Sequence, residues 1–372
     1  MSQDFIDAFF SPFEYKSLKL RNRVAMSPMT RYFSPDGMAT DEVATYYARR
    51  AEGGAGLIIS EGLFPDREVA RNQQNIPWLH GDRRDPWKKV VSDVQAGGAK
   101  IASQIWHVGG ARDYNFPEDT LGDKLESPSG LYGSGLAGGR EMTEEDIADA
   151  VASFARSARD AKALGFDAVE FHGAHGYIFD QFFWNVTNRR GDRYGGDTIR
   201  ERTNFATETI RATRKAVGDD FVIFFRLSQW KVSMYDARIA HDPGELEEWV
   251  GPLAEAGVDI FDCSQRRFWE PEFEGTDLNL AGWVKKITNQ PTMTVGSIGL
   301  ATDLMKDMET GAVSAPTPST IRNVAERLAK GEFDLVAVGR AMLADAQWCN
   351  KVQDRRFGDL TGYSTELMKT LD

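Results

Sequence analysis

The chain is poor in the residues that build metal centres and disulfide frameworks. It has two cysteines, Cys263 and Cys349, without the paired spacing of a zinc or iron–sulfur site, and five histidines in 372 residues. A basic surplus is missing too. The net charge is −12, whereas nucleic acid and anionic membrane surfaces both demand a basic face. No run approaches the ~18 apolar residues of a membrane span. The opening MSQDFIDAFF lacks the basic start and apolar stretch of a secretory signal. These absences point to a soluble, cytoplasmic protein whose partner is a small molecule, not nucleic acid or membrane. An acidic surface can still surround a local basic pocket, so a phosphate-bearing ligand is not excluded.

What is present is an ordinary soluble composition, 41% hydrophobic and 27% charged, enough for a large core. Short apolar runs at 24–26, 56–60, 100–104, 168–171, 222–226, 259–262, 292–295 and 335–338 alternate with helical stretches such as 143–164, 198–217 and 244–256. Thr143 with Asp146 reads as a capping box, and Gly165 and Gly218 fall where helices should end. Eight strand–helix units with no break in composition predict one α/β domain over residues 1–372, a single (β/α)8 TIM barrel. A doubly wound sheet would use the same alphabet and is the alternative. Residues 107–142, rich in Gly, Pro and Ser, form a long excursion after the third strand and are expected to act as a lid.

In such barrels the chemistry sits at the C-terminal ends of the strands. Those positions hold Ser27-Pro28-Met29-Thr30, Glu61-Gly62, Gln104 with Trp106, then His172, His175 and Tyr177, then Arg226, Cys263, Gly296-Ser297 and Gly339-Arg340. The set is rich in donors and nearly free of the paired carboxylates that glycosidases need. Gly296-Ser297 and Gly339-Arg340 end strands seven and eight, where barrel enzymes commonly hold phosphate on backbone N–H groups. Arg226 closes an apolar strand, and a buried charge needs a partner. Either a carboxylate such as Glu170 or Glu61 meets it, or an electron-accepting ligand does. Gln104 is either a satisfied core amide or a reader of a heteroaromatic ring edge.

Gly133-Ser-Gly135-Leu-Ala-Gly138 fits the dinucleotide pattern G-x-G-x-x-G but follows no strand and opens no helix, so it is read as a chance match. The spacing of His172 and His175 is a weak metal motif with no carboxylate cluster to complete it, so no metal is expected. Gly173 and Gly176 suggest a tight turn more than a packed face. A pair of donors with a phenol beside them, facing a substrate oxygen, is the reading that remains.

Together these residues resemble the Old Yellow Enzyme family of FMN-dependent ene-reductases. The resemblance runs from Pro12-Phe13 and Arg23-Val24 through Ser27-Pro28-Met29, Glu61-Gly62, Gln104-Ile-Trp106-His107 and His172-Gly-Ala-His175-Gly-Tyr177. It continues through Asn188-Arg-Arg-Gly-Asp-Arg-Tyr-Gly-Gly196, Arg226-Leu227, Val295-Gly296-Ser297 and Val338-Gly339-Arg340. It implies a barrel with FMN bound noncovalently at its top and NADH or NADPH as reductant. By resemblance, Pro28, Met29 and Thr30 lie along the flavin, with the Thr30 side chain near flavin O4. Gly62 and Gln104 meet the pyrimidine edge, Arg226 sits at N1, and Gly296, Ser297, Gly339 and Arg340 hold the phosphate.

His172, also a flavin neighbour, and His175 would hold the carbonyl oxygen of an enone or enal, Tyr177 would donate the proton, and Tyr32 and Trp106 would complete the substrate pocket. Members are often homodimers. Relatives that oxidise amines or reduce dienoyl-thioesters carry a cysteine cluster that this chain lacks, so a short ene-reductase is expected. The alternatives are an FMN-dependent dehydrogenase or demethylase of small amines and, further off, a metal-dependent barrel lyase or hydrolase. Thr30 and Trp106 look like one branch of the family, Tyr32 and His175 like another. Residues 263–270, unusually rich in large side chains, are either part of the pocket wall or plain surface loop.

Overall fold

The eight apolar runs become the eight parallel strands of a closed barrel. A computed structural model describes residues 5–111 and 125–372. The strands are β1 (Val24–Met26), β2 (Leu57–Leu63), β3 (Lys100–Ile105), β4 (Ala168–His172), β5 (Val222–Leu227), β6 (Ile260–Ser264), β7 (Thr292–Val295) and β8 (Leu335–Val338), and β8 pairs with β1 to close the ring. Among the described residues, seven main helices cover the outside: α1 (Asp41–Glu52), α2 (Trp87–Ala96), α3 (Glu144–Leu164), α4 (Asn204–Val217), α5 (Pro243–Ala256), α6 (Leu280–Thr288) and α7 (Pro318–Ala329). The doubly wound alternative falls, because a closed ring has no edge strand.

Local chemistry sets the boundaries. Thr143 and Asp146 form a reciprocal capping box at the start of α3, and Gly165 ends it in the left-handed conformation. The helical stretch 198–217 is divided: Ile199–Arg202 has its own capping box on Thr198, and α4 begins after Thr203. The G-x-G-x-x-G match is a small hairpin, Leu131–Tyr132 against Leu136–Ala137, with Gly133 and Gly135 at positive φ in its turn. Of the expected lid at 107–142, residues 112–124 lie outside the described residues. Among the described residues, no helix is long and apolar enough to cross a membrane.

The barrel interior is layered from dry to polar. An N-terminal hairpin, Phe13–Tyr15 with Leu18–Leu20, plugs the lower end. Its Phe13, Leu18 and Leu20 pack with the inward side chains Leu57, Ile59, Ala102, Ala168, Val222, Phe224, Ile260, Met293 and Leu335. Alternation along the strands then carries the inward face from these apolar residues to Gln104, Glu170, Arg226 and Asp262, all buried. The polar layer forms the floor of whatever the barrel mouth holds.

Candidate active site

A cavity of about 520 Å³ opens at the C-terminal ends of the strands, within the range of small-molecule and cofactor sites. Its wall includes Pro28, Met29, Thr30, Tyr32, Gln104, Trp106, His172, His175, Tyr177, Arg226, Gly296, Ser297, Gly339 and Arg340. Gly62 is the one predicted residue absent from that wall. It lies behind Trp106, where a Cβ would come within 2.5 Å of the indole, so its glycine makes room for that ring.

The floor is electrostatically built. Arg226 Nη1 donates to Asp262 Oδ2 at 2.7 Å, and the two face each other across β5 and β6. The partner is neither Glu170 nor Glu61, the carboxylates expected for it. Alternation places Asp262 inward between Ile260 and Ser264, which is the signal that could have found it. Glu170 accepts from Gln104 Nε2 at 2.8 Å and lies within hydrogen-bond reach of Asp262. Burial, then the Asp262 charge, pushes the Glu170 carboxyl well above the usual range. Glu170 Oε2 and Asp262 Oδ1 are both buried and unpartnered as carboxylates, and one shared proton satisfies both. Glu61 lies apart, accepting from the backbone N–H of Arg31 at 3.0 Å and so holding the turn beside Thr30 and Tyr32.

Above the floor, three rings converge. His172 and His175 lie 5.1 Å apart with planes at 85°, and Tyr177 is 4.8 Å from His172 and 4.9 Å from Trp106. Burial, then Arg226, lowers His172 well below the imidazole range, and burial followed by His172, Arg226 and Lys231 does the same to His175. Both rings are therefore neutral near pH 7. His172 Nδ1 accepts from the Ala174 N–H at 3.4 Å, which leaves the proton on Nε2 as a donor. His175 Nε2 pairs with Ser264 Oγ at 2.8 Å, and its ring stacks on Trp230 at 4.1 Å.

The turn carrying these groups is held from below. His175 adopts φ 65, a left-handed conformation unusual for a residue with a side chain. Its backbone bridges to Lys231, whose buried Nζ meets Asp180 at 2.9 Å, while Asp180 accepts the Gly176 N–H at 3.1 Å. Lys231 and Trp230 have no motif in the sequence and were not foreseen, whereas Ser264 falls within residues 263–270, for which a place in the pocket wall was one of the two readings.

At the ends of β7 and β8, Gly296 has no room for a side chain, since a Cβ would sit 2.6 Å from the Gln265 carbonyl oxygen. Arg340 is not free there: it pairs with Asp307 and donates to Ser297 Oγ at 3.2 Å and to the Thr302 carbonyl at 2.9 Å. Of residues 263–270, Ser264, Gln265 and Arg266 reach the cavity wall, while Phe268 is buried elsewhere in the core. Among the described residues, no group of three or more His, Cys, Asp or Glu side chains could hold a metal ion.

Comparison with known proteins identifies the family. The sequence pattern of the NADH:flavin oxidoreductase / NADH oxidase family matches residues 8–358. An NADH oxidase of Thermoanaerobacter brockii is 34% identical over 366 residues, covering 94% of this chain and 51% of that protein. An NADPH dehydrogenase of Bacillus subtilis is 30% identical over 342 residues, covering 90% of this chain and 91% of that protein. The chain thus spans about half the length of some curated relatives it matches and most of others. A solved structure of morphinone reductase in complex with tetrahydroNAD superposes with a TM-score of 0.78 at 26% identity, covering 97% of this chain and 94% of that one. The chain belongs to the FMN-dependent NADH:flavin oxidoreductase / NADH oxidase family, the family of Old Yellow Enzyme.

Proposed function

We propose that this chain is an ene-reductase, reducing the activated C=C bonds of α,β-unsaturated carbonyl compounds at the expense of NADH or NADPH. The observation that carries the reading is the convergence of two neutral histidines and a tyrosine over one cavity with a buried arginine in its floor.

The residues fit FMN. Arg226 Nε is buried without a partner, while its Nη1 and Nη2 donate to Asp262, Ser27 and Ser264. Pro28 and Met29 offer an apolar edge, and Gly296, Ser297, Gly339 and Arg340 offer donors where a phosphate belongs. Bound there, FMN would supply the hydride-transfer chemistry between nicotinamide and activated alkene.

The chain's own residues do the rest. His172 Nε2–H and the His175 ring polarise the carbonyl and stabilise the negative charge that develops on its oxygen, the role of an oxyanion hole. Being neutral, they donate without losing a proton. Tyr177 stands beside His172 and delivers a proton to the α-carbon as general acid. Arg226, moderated by Asp262, would offer a cation to the electron-accepting ring of the bound flavin. One cavity receives nucleotide and alkene in turn, so ping-pong kinetics follow.

The test is anaerobic reduction of the purified yellow holoenzyme by NADPH or NADH, followed by mixing with 2-cyclohexenone. Reoxidation with formation of cyclohexanone supports the reading. Reduced enzyme that ignores a panel of activated alkenes but reoxidises with the imine product of a tertiary amine overturns it.

A further inference from the structure

Three arginines line the cavity, and they are not equivalent. Arg226 is balanced by Asp262, and Arg340 by Asp307. Arg266, half-buried in the loop after β6, has no carboxylate within ion-pair distance among the described residues. Asp303, also on the wall, is engaged by the neighbouring Arg267 at 2.6 Å. Glu270 and Glu272, in an adjoining cavity that Arg266 also borders, pair with Arg267 and Arg238. Asp236, in the same adjoining cavity, is exposed to solvent and lies beyond ion-pair reach. In a chain of net charge −12, an unpaired cation facing a cavity is a conspicuous exception.

Arg266 is also held in place. Its carbonyl accepts from Ser297 Oγ at 2.8 Å, which ties the loop to the end of β7. Its guanidinium sits 5.4 Å from the centre of the Tyr235 ring. Tyr235 stacks on Trp230 at 5.1 Å and 25°, and Trp230 stacks on His175 at 4.1 Å and 27°. The indole is fixed by its Nε1–H donating to the Ser264 carbonyl at 3.1 Å. A continuous ladder of planar groups thus leads from the carbonyl clamp to Arg266.

Other parts of the same cavity wall are apolar and exposed: Val232 at 52%, Leu304 at 39% and Met308 at 60%. Such a wall suits a hydrocarbon body. We infer that Arg266 is the anion-recognition residue of the substrate pocket, selecting activated alkenes with an apolar body and a carboxylate remote from the reacting carbonyl. The inference rests on the clamp reading of His172 and His175 for where the other end lies.

The experiment uses holoenzyme and a matched pair, a 2-alkylcyclopentenone whose chain ends in a carboxylate and its methyl ester. The wild type should prefer the acid in kcat/KM by at least about tenfold, as a charge-assisted guanidinium–carboxylate contact implies. Arg266→Gln should bring the acid-to-ester ratio to near unity, and Arg266→Lys should restore part of it. Affinity of the saturated acid and ester for oxidised holoenzyme, read from the shift in flavin absorbance, tests the site independently of turnover. If neither enone is reduced yet the acid still binds more tightly through Arg266, the ene-reductase reading fails and the anion site stands. Equal binding of acid and ester in the wild type overturns the inference. So does an Arg266→Gln variant that changes only the NADPH-to-NADH ratio or the retention of FMN, since the cation then serves a nucleotide phosphate.

Discussion

Arg226 and Asp262 face each other at 2.7 Å in the buried floor of the barrel mouth, one strand apart. A lone arginine there would present a full positive charge to the flavin; the pair presents a dipole, further tempered by the proton shared between Asp262 and Glu170. Asp262→Asn removes the negative member and keeps the shape. The flavin midpoint potential should rise, on the order of tens of millivolts, because added electrons then meet an unscreened cation. Spectroelectrochemical titration of variant and wild type checks this, and an unchanged or lower potential would count against the placement of Arg226 beside the ring.

The Tyr177 ring lies against His172 and Trp106, so its loss should be confined to one half of the catalytic cycle. Tyr177→Phe should leave flavin reduction by NADPH within about twofold while slowing reoxidation by 2-cyclohexenone by about 10²-fold or more. His172→Ala should weaken binding of the enone and slow its reduction together, because a donor that strengthens towards the transition state also holds the ground state. Stopped-flow measurement of the two half-reactions separates these effects. If both variants reoxidise at the wild-type rate, the clamp and the proton donor are misassigned.

Arg340 is shared between Asp307 and whatever anion lies at the ends of β7 and β8. Asp307→Asn should release it and tighten FMN binding by roughly three- to tenfold, a gain expected from removing one nearby like-signed competitor. Riboflavin, which has no phosphate, should bind variant and wild type alike. Titration of apoprotein with each flavin, followed by fluorescence quenching, gives the comparison. Equal effects on both flavins would show that Asp307 acts on the cavity shape instead.

The strands were legible because each is a short apolar run buried on both faces, and the runs starting at Val24, Thr292 and Leu335 match their strands end to end. The residues on the wall of the mouth were legible because alternation and strand ends select them. What escaped is long-range pairing. Asp262 meets Arg226 from the neighbouring strand, 36 residues on, where the carboxylates expected from the sequence are Glu170 and Glu61. Asp307 reaches Arg340 from a short helix, Leu304–Thr310, that carries no motif. Trp230 and Ser264 matter only because folding sets them against His175, and Gly62 because of the indole it admits. Strand periodicity says which way a side chain points, not what it will meet.

The buried pair Lys231–Asp180 holds the turn that presents His175 and Tyr177, and both members are fully buried. Burial lowers the lysine and raises the aspartate to about 6, each against the pull of its partner, so desolvation is the larger effect on both. Lys231→Met should cost about 3–5 kcal/mol by stranding a buried carboxylate. The double variant Lys231→Met with Asp180→Leu should recover much of that stability yet leave enone reduction impaired, since the Gly176 N–H loses its acceptor. Urea unfolding of the single and double variants, set beside their reoxidation rates, separates stability from positioning. A double variant that is both stable and fully active would mean that the pair does not position the turn.

Glu61 gives a pH signature of its own. Burial raises its carboxyl from the ordinary 4.5 to about 7, despite the N–H groups of Arg31 and Tyr32. The folded protein therefore keeps a proton that the unfolded chain has released across that interval. The stabilisation is fully present below about pH 4.5 and is lost as pH rises through 7. Glu61→Gln keeps an acceptor for the Arg31 N–H and never ionises. At pH 8 the variant should be more stable than wild type by on the order of 1–3 kcal/mol, and the gap should close towards pH 5. Melting both proteins across pH 5–8 reads the difference directly. A gap that stays constant with pH would mean that Glu61 is ionised at little cost, and that the turn beside Thr30 and Tyr32 is held by a charge instead of a proton.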